Sequence, residues 1–267
     1  MDYTAILSAV AVVSGTGILL GALLGIAEIK FMVKVDEKET AVRKLLPGSN
    51  CGGCGYPGCD GLAAAIAKGD APADKCPGCS AERVVKIGRV MCVEMDPAKM
   101  VRKAAYVKCS GNCETTKEQY EYYGVKNCRE AMFTAGGGPK ACTYGCLGYG
   151  ECVSVCAFDA IHIENGTAVV DREKCVACGK CVEICPKHLI EIIPYESKFA
   201  VGCNSKEKGK DTKAVCGAGC IGCKICMKNC PNEAIEVTDN LAVINQEKCI
   251  GCGICAGKCP VKIIKMV

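Results

Sequence analysis

The chain has 267 residues, room for two or three compact units, yet it lacks Trp, holds only 4 Phe and carries 27 Cys. Secreted disulfide scaffolds reach that cysteine density in much shorter chains behind a cleavable signal. Here most cysteines fall in tight C-x-x-C-x-x-C runs, better placed to share a metal centre than to bridge in pairs. The formal charge is +4; a cubane iron–sulfur cluster on four thiolates leaves about −2 per site, so five such sites would bring the loaded chain to roughly −6, and the raw charge says nothing in favour of nucleic acid.

From Tyr3 to Ala27 there is no charged residue, and Ile6 to Ile26 is almost wholly aliphatic or small. Those 21 residues span about 31 Å as a helix, enough for a hydrocarbon core of about 30 Å. A signal peptide is the competing reading, but it wants a basic start and a small-x-small cleavage site. This chain opens Met1-Asp2 and continues into Glu28-Ile29-Lys30. A retained anchor is therefore expected over residues 1–29. Lys30, Lys34, Lys38, Arg43 and Lys44 follow the span directly, so the positive-inside rule expects a single pass through the cell membrane with the body cytoplasmic. That side is also reducing, which keeps thiols available for iron. Gly17, Gly21 and Gly25 share one helix face and suggest a second helix packed against it in the membrane.

A unit over 30–90 follows, where the turn Leu46-Pro47-Gly48-Ser49-Asn50 leads into Cys51-Gly-Gly-Cys54-Gly-Tyr-Pro-Gly-Cys59, with Cys76 further on. Between them Gly61–Gly69 reads as a short alanine-rich helix ending at glycine. Glycines let backbone amides approach cluster sulfides because no Cβ intervenes. Cys51, Cys54, Cys59 and Cys76 are read as ligands of one [4Fe–4S] cluster. Tetrahedral zinc is the alternative for four cysteines.

Residues 91–139 form a linker unit to which no role is assigned, and its Gly136-Gly137-Gly138-Pro139 stretch reads as a loop. The C-terminal part is a duplication. Cys142, Cys146, Cys152, Cys156, Cys175, Cys178, Cys181 and Cys185 recur, each offset by 74 residues (142 to 216), as Cys216, Cys220, Cys226, Cys230, Cys249, Cys252, Cys255 and Cys259. The copies occupy 140–195 and 196–267. In each, apolar stretches flank a turn (Ala160–Ile163 and Thr167–Val170 in the first, Ile235–Ile244 in the second), predicting a β-hairpin between the cysteine runs.

The second copy reads Cys220-x2-Cys223-x2-Cys226-x3-Cys230-Pro231, then Cys249-x2-Cys252-x2-Cys255-x3-Cys259-Pro260. It resembles the bacterial two-cluster ferredoxin, in which the fourth cysteine of each run ligates the other cluster. The resemblance implies one site of Cys220, Cys223, Cys226 and Cys259, and another of Cys249, Cys252, Cys255 and Cys230. In the first copy Tyr149 stands where Cys223 stands in the second. Tyr is a poor cubane ligand, and Cys142 is the expected substitute, giving Cys142, Cys146, Cys152 and Cys185 beside a regular site of Cys175, Cys178, Cys181 and Cys156. A three-iron cluster on Cys146, Cys152 and Cys185 is the alternative.

The anchor, the CGGCGYPGC motif and the paired modules together resemble the B subunit of the Rnf complex, over nearly the whole chain. The resemblance implies an α+β protein with a transmembrane helix, a small helical [4Fe–4S] domain and two tandem ferredoxin modules. It further implies five [4Fe–4S] clusters that relay electrons from soluble ferredoxin toward NAD-reducing subunits of a membrane-bound, ion-translocating oxidoreductase. No substrate chemistry of the chain's own is expected: His162 and His188 stand alone as structural residues, and no dinucleotide fingerprint follows a strand. A subunit of another membrane enzyme, such as a hydrogenase or reductase, and a zinc-stabilised scaffold are the competing functions. Cys79, Cys92, Cys109, Cys113, Cys128, Cys203 and Cys216 are left over, with Cys216 looking redundant. Cys109, Cys113, Cys128 and Cys203 either form a sixth metal site or stay free as small buried hydrophobes. Lys198, Lys206, Lys208, Lys210 and Lys213 form a basic loop suited to an acidic ferredoxin.

Overall fold

The computed structural model describes residues 3–31, 36–96 and 100–267; Met1, Asp2 and Lys34 of the orientation argument lie outside them. Helix α1 (Tyr3–Phe31) opens the described part of the chain. Its stretch Val10–Glu28 is long and apolar enough to cross a membrane, and none of it is buried. Ser14 and Thr16 return their hydroxyls to carbonyls one turn back (Val10, and Val12 with Val13), so the helix exposes few free polar groups. No neighbour lies within 4 Å of where a Cβ on Gly17, Gly21 or Gly25 would sit, so that face is open.

The first compact unit packs α2 (Glu37–Leu45), α3 (Cys59–Lys68) and α4 (Ala81–Val90). Asp36 caps α2 by accepting from the Lys38 N–H at 2.9 Å. The expected alanine-rich helix is α3, and it stops where Gly69 turns left-handed at φ 84°. Its core is small, with Val42, Leu62, Ile66 and Ile87 nearly inaccessible and Cys59 and Cys76 buried among them.

Each duplicated module is built on two antiparallel ribbons. In the first, β1 (Lys103–Val107) pairs with β4 (Ile190–Pro194), and β2 (Ile161–Glu164) with β3 (Thr167–Val170). In the second, β5 (Phe199–Val201) pairs with β8 (Ile264–Met266), and β6 (Ile235–Thr238) with β7 (Leu241–Ile244). The expected hairpins are β2–β3 and β6–β7. Their turns need two positive φ values, supplied by Asn165 (46°) with Gly166 (75°) and by Asp239 (49°) with Asn240 (61°).

The first strand of the first module comes from the segment before it. Lys108 N–H donates to the Leu189 carbonyl (2.7 Å), and Gly202 N–H to the Ile263 carbonyl (2.9 Å). Leu189 and Ile263 are repeat partners, so residues 103–109 and 197–203 occupy equivalent places. The copies look unequal in sequence because the first carries an insertion between its opening strand and its first cysteine run. That insertion holds α5 (Cys128–Met132) and a 3₁₀ turn (Ala135–Gly137).

Candidate iron–sulfur sites

Short helices position the cysteine runs: α6 (Glu151–Ser154) and α7 (Lys180–Ile184) in the first module, α9 (Ile225–Lys228) and α10 (Ile254–Lys258) in the second. Each is preceded by a residue in the left-handed region, namely Gly150, Gly179, Lys224 and Gly253. The loop thus curls around a cavity before the chain turns away as helix.

Four such cavities, two per module, have nearly equal volumes. One of about 340 Å³ is lined by Cys220, Cys223, Cys226 and Cys259; one of about 330 Å³ by Cys230, Cys249, Cys252 and Cys255. In the first module, Cys156, Cys175, Cys178 and Cys181 line a cavity of about 370 Å³. In all three the fourth cysteine of each run reaches across to the other run's site. Backbone amides point at the sulfurs: Ala105 and Ala177 N–H donate to Cys175 Sγ (3.3 and 3.4 Å), Ala160 N–H to Cys156 Sγ (3.4 Å), and Ala234 N–H to Cys230 Sγ (3.3 Å).

The remaining cavity of the first module, about 400 Å³, is lined differently from the expected ligand set. Cys146, Cys152 and Cys185 line it, but the fourth thiol is Cys128 and not Cys142. Cys128 opens α5, which Asn127 caps through its side-chain oxygen, and the Arg129 N–H donates to Glu151 at 3.0 Å, tying α5 to α6. Amides of Glu151 and Tyr149 face its thiol. So the insertion delivers a cysteine to the place that Tyr149 vacates, while the Tyr149 ring packs against Tyr122 with centroids 5.8 Å apart. Cys142 lies in a turn closed by the Gly145 N–H on its carbonyl (3.1 Å) and lines a different cavity, with Cys109, Cys203 and Cys216. Nothing in the run's spacing signals the exchange; the only hint is a helix-capping Asn directly before a spare cysteine.

In the helical unit, Cys51, Cys54, Cys59 and Cys76 are mutual neighbours. Burial pushes the Cys76 thiol up, the Gly78 N–H opposes this, and Cys54, Cys59 and Cys51 add like-charge repulsion. The Cys59 N–H is held by the Asn50 side chain at 2.9 Å. This unit docks on the first module at very short range. A Cβ on Gly53 would lie 2.7 Å from both Cβ and carbonyl O of Cys178, and Cys51 adds to the upward shift of the Cys178 thiol.

Burial pushes other site thiols up as well, Cys152 to about 12 with repulsion from Cys146 and Cys128, and Cys181 and Cys226 to about 11. Such groups resist becoming thiolates without a cation to bind. Among the described residues, no three or more His, Cys, Asp or Glu side chains converge closely enough to hold a single metal ion. Four thiols ringing an apolar cavity are a donor set that fits a multi-iron cubane. His162 makes an exposed contact with Asp159 at 3.8 Å, away from the cavities.

Comparison with known proteins agrees with this donor chemistry. A family model described as "Putative Fe-S cluster" matches residues 46–77, a "4Fe-4S dicluster domain" matches 219–263 and a "4Fe-4S binding domain" matches 168–191. The chain is 47% identical to the B subunit of the Na(+)-translocating ferredoxin:NAD(+) oxidoreductase complex of Acetobacterium woodii, over 91% of this chain and 73% of that protein. It is 40% identical to the B subunit of the ion-translocating oxidoreductase complex of Methanosarcina acetivorans, over 91% of both. It is 38% identical to the proton-translocating counterpart of Clostridium ljungdahlii, over 86% of this chain and 81% of that protein. With iron–sulfur domain models along its length and identities of this size across most of each partner, the chain belongs to the family of B subunits of ion-translocating (Rnf-type) oxidoreductase complexes.

Proposed function

We propose that this chain is the electron-entry relay of its complex. It takes electrons from soluble reduced ferredoxin and passes them through at least five [4Fe–4S] sites toward NAD-reducing partner subunits. The observation that supports this most strongly is the set of four-thiol cavities in the two modules, joined at one end to the Cys51–Cys76 unit through the Gly53–Cys178 contact.

The ligand sets of the reading are Cys51/Cys54/Cys59/Cys76, Cys128/Cys146/Cys152/Cys185, Cys156/Cys175/Cys178/Cys181, Cys220/Cys223/Cys226/Cys259 and Cys230/Cys249/Cys252/Cys255. When bound, clusters supply one-electron exchange at potentials tuned by hydrogen bonds, burial and charge. The protein supplies the rest. Its thiolates fix the positions, its amide N–H groups stabilise negative charge on the sulfurs, and its apolar walls exclude water. With α1 as a single-pass anchor, Lys30, Lys38, Arg43 and Lys44 favour a cytoplasmic body. Anaerobically purified protein should hold at least about 20 irons per chain and no zinc. Zinc with little iron would replace the relay by an anchored scaffold.

The second module supports entry at its tip. Cys223 and Cys252 are exposed, as are Ile250 and Ile254, whereas Cys178 of the first module is covered by the Gly53 loop. The lysine loop lies beside Cys223. Lys206 pairs with Asp239 at 3.5 Å and its carbonyl accepts from Asn240, whose backbone packs on Gly222 beside Cys223. Lys208, Lys210 and Lys213 around α8 (Gly209–Val215) are exposed. Replacing these three by Glu should slow reduction by ferredoxin on the order of tenfold at low salt and flatten its salt dependence. An unchanged, salt-insensitive rate excludes docking there.

A further inference from the structure

We infer that Cys109, Cys142, Cys203 and Cys216 bind a sixth [4Fe–4S] cluster, seated between the two ferredoxin modules and shared by them. These four cysteines line one cavity of about 330 Å³, the same volume as the smallest of the four module cavities. The inference rests on reading those cavities as cubane sites.

The local symmetry of the modules generates the site. Cys142 and Cys216 are repeat partners in the duplicated cysteine pattern. Cys109 and Cys203 are partners in the fold, each two residues beyond the strand, β1 or β5, that opens its module. Their hydrogen bonds match: the Cys146 N–H donates to Cys109 Sγ at 3.4 Å, and the Cys220 N–H donates to Cys203 Sγ at 3.3 Å. Cys146 and Cys220 are themselves repeat partners. Each module therefore contributes an equivalent pair of thiols, and the two pairs face a common cavity.

The surroundings are those of a cluster and not of four spare thiols. The Ser205 N–H donates to Cys203 Sγ (3.4 Å), and the Thr116 hydroxyl meets Cys216 Sγ (3.4 Å). A Cβ on Gly111 would come within 3.2 Å of Cys216 Sγ and 3.7 Å of Cys109 Sγ, so the backbone is bare where the sulfurs crowd. Lys140 is buried beside the site, its ammonium held by the carbonyls of Gly111 (3.3 Å) and Gly166 (2.7 Å). It is a fixed cation next to a group that carries about −2. Free cysteines that merely fill a core pack singly against apolar neighbours; these four line one common cavity. Loading would be a ligand exchange with no change of oxidation state: as four Fe–S bonds form to these cysteines, the four bonds from a preassembled cluster to its carrier's terminal ligands break, and the thiol protons pass to the departing ligands or to water.

Position gives the site its use. One ligand amide away lie Cys146 of the first module's nearer cavity and Cys220 of the second module's nearer cavity. The six sites then follow one another from the exposed tip of the second module to the unit beside the anchor.

The test is iron and zinc analysis with Mössbauer spectroscopy on the full chain, purified anaerobically in detergent. The native protein should contain about 24 irons, all in cubanes, and the Cys109→Ser/Cys203→Ser double variant about 20, with the other spectra preserved. Cys113→Ser, at an exposed cysteine, should stay at the native value. A native count of about 20 that neither variant alters overturns the sixth site while leaving the five standing. Loss of all iron, or zinc in its place, sinks the relay reading first. If the double variant fails to fold, Cys142→Ser alone should convert one cluster to a three-iron signal on oxidation; a spectrum identical to native rejects the proposal.

Discussion

Cys128→Ala is expected to remove about one to four irons per chain, leaving at most a three-iron cluster at that site, and restoring a cysteine by Tyr149→Cys in the same chain should return the full four-iron cluster. The first loss follows from geometry. Cys128 lines the cavity with Cys146, Cys152 and Cys185, and its truncation leaves three thiols. The rescue follows from the duplication, because Tyr149 holds the place of Cys223, which lines the matching cavity in the second module. A thiol there reaches the same iron from the loop instead of from α5. Cys142→Ala must behave differently: its loss leaves this cavity's four thiols intact, and Tyr149→Cys cannot compensate for it. Iron analysis with EPR of the reduced protein separates the cases. If Cys142→Ala is the variant that Tyr149→Cys rescues, the ligand exchange is wrong and Cys142, favoured by spacing, is the ligand. Tyr149→Cys alone should keep the native iron count, since the cavity then has a ligand to spare.

The regular parts of this molecule are legible in the sequence because they are local. A run of three cysteines at x2 spacing followed by Cys-Pro can wrap one cubane in a single way, and two runs with a hairpin between them must bring their fourth cysteines across. The β2–β3 and β6–β7 hairpins are visible in their apolar stretches and turn residues. The anchor is visible in its composition, and α3 in its alanines and terminal glycine. What escapes depends on contacts distant in sequence. Strand β1 belongs to the first module, but an insertion separates it from the cysteine run, so a cysteine-to-cysteine repeat does not include it. Once β1 is paired with β4, Cys109 falls into place opposite Cys203, and Cys216 is no longer redundant. The same insertion carries Cys128 back to the cavity by docking α5 on α6, an event fixed by Asn127 and Glu151 and by no spacing rule. Cys142 is the nearest spare cysteine along the chain. In space, the nearer sulfurs are Cys216 and Cys203, both of which push its thiol up or are pushed up by it. Cys79, Cys92 and Cys113 line none of the five cavities described.

The second large effect is expected at a residue that binds nothing. Gly53→Val should leave the iron content unchanged while slowing electron arrival at the Cys51–Cys76 unit. Gly53 is where the helical unit meets the first module backbone to backbone, and any Cβ there would sit 2.7 Å from the Cys178 carbonyl oxygen and 3.0 Å from its Cα. Backbone atoms cannot swing aside as a flexible side chain would, so the two units must separate. Overpacking of this kind costs about 1–3 kcal/mol, which shifts the docking equilibrium roughly 5- to 150-fold. The cluster ligands are untouched, because Cys51 and Cys54 keep their own loop and Cys178 its own module. Gly257→Ala is the control: this glycine lies in α10 of the second module, away from the Gly53 contact, and its added Cβ meets nothing within 4 Å. Freeze-quenched EPR of the intact complex, mixed with reduced ferredoxin, reads the arrival directly. In Gly53→Val the signals of the two ferredoxin modules should develop at the native rate and that of the helical unit should lag. Equal rates in both variants would mean that electrons leave the modules elsewhere, and that the Cys51–Cys178 approach joins two domains without joining two redox centres.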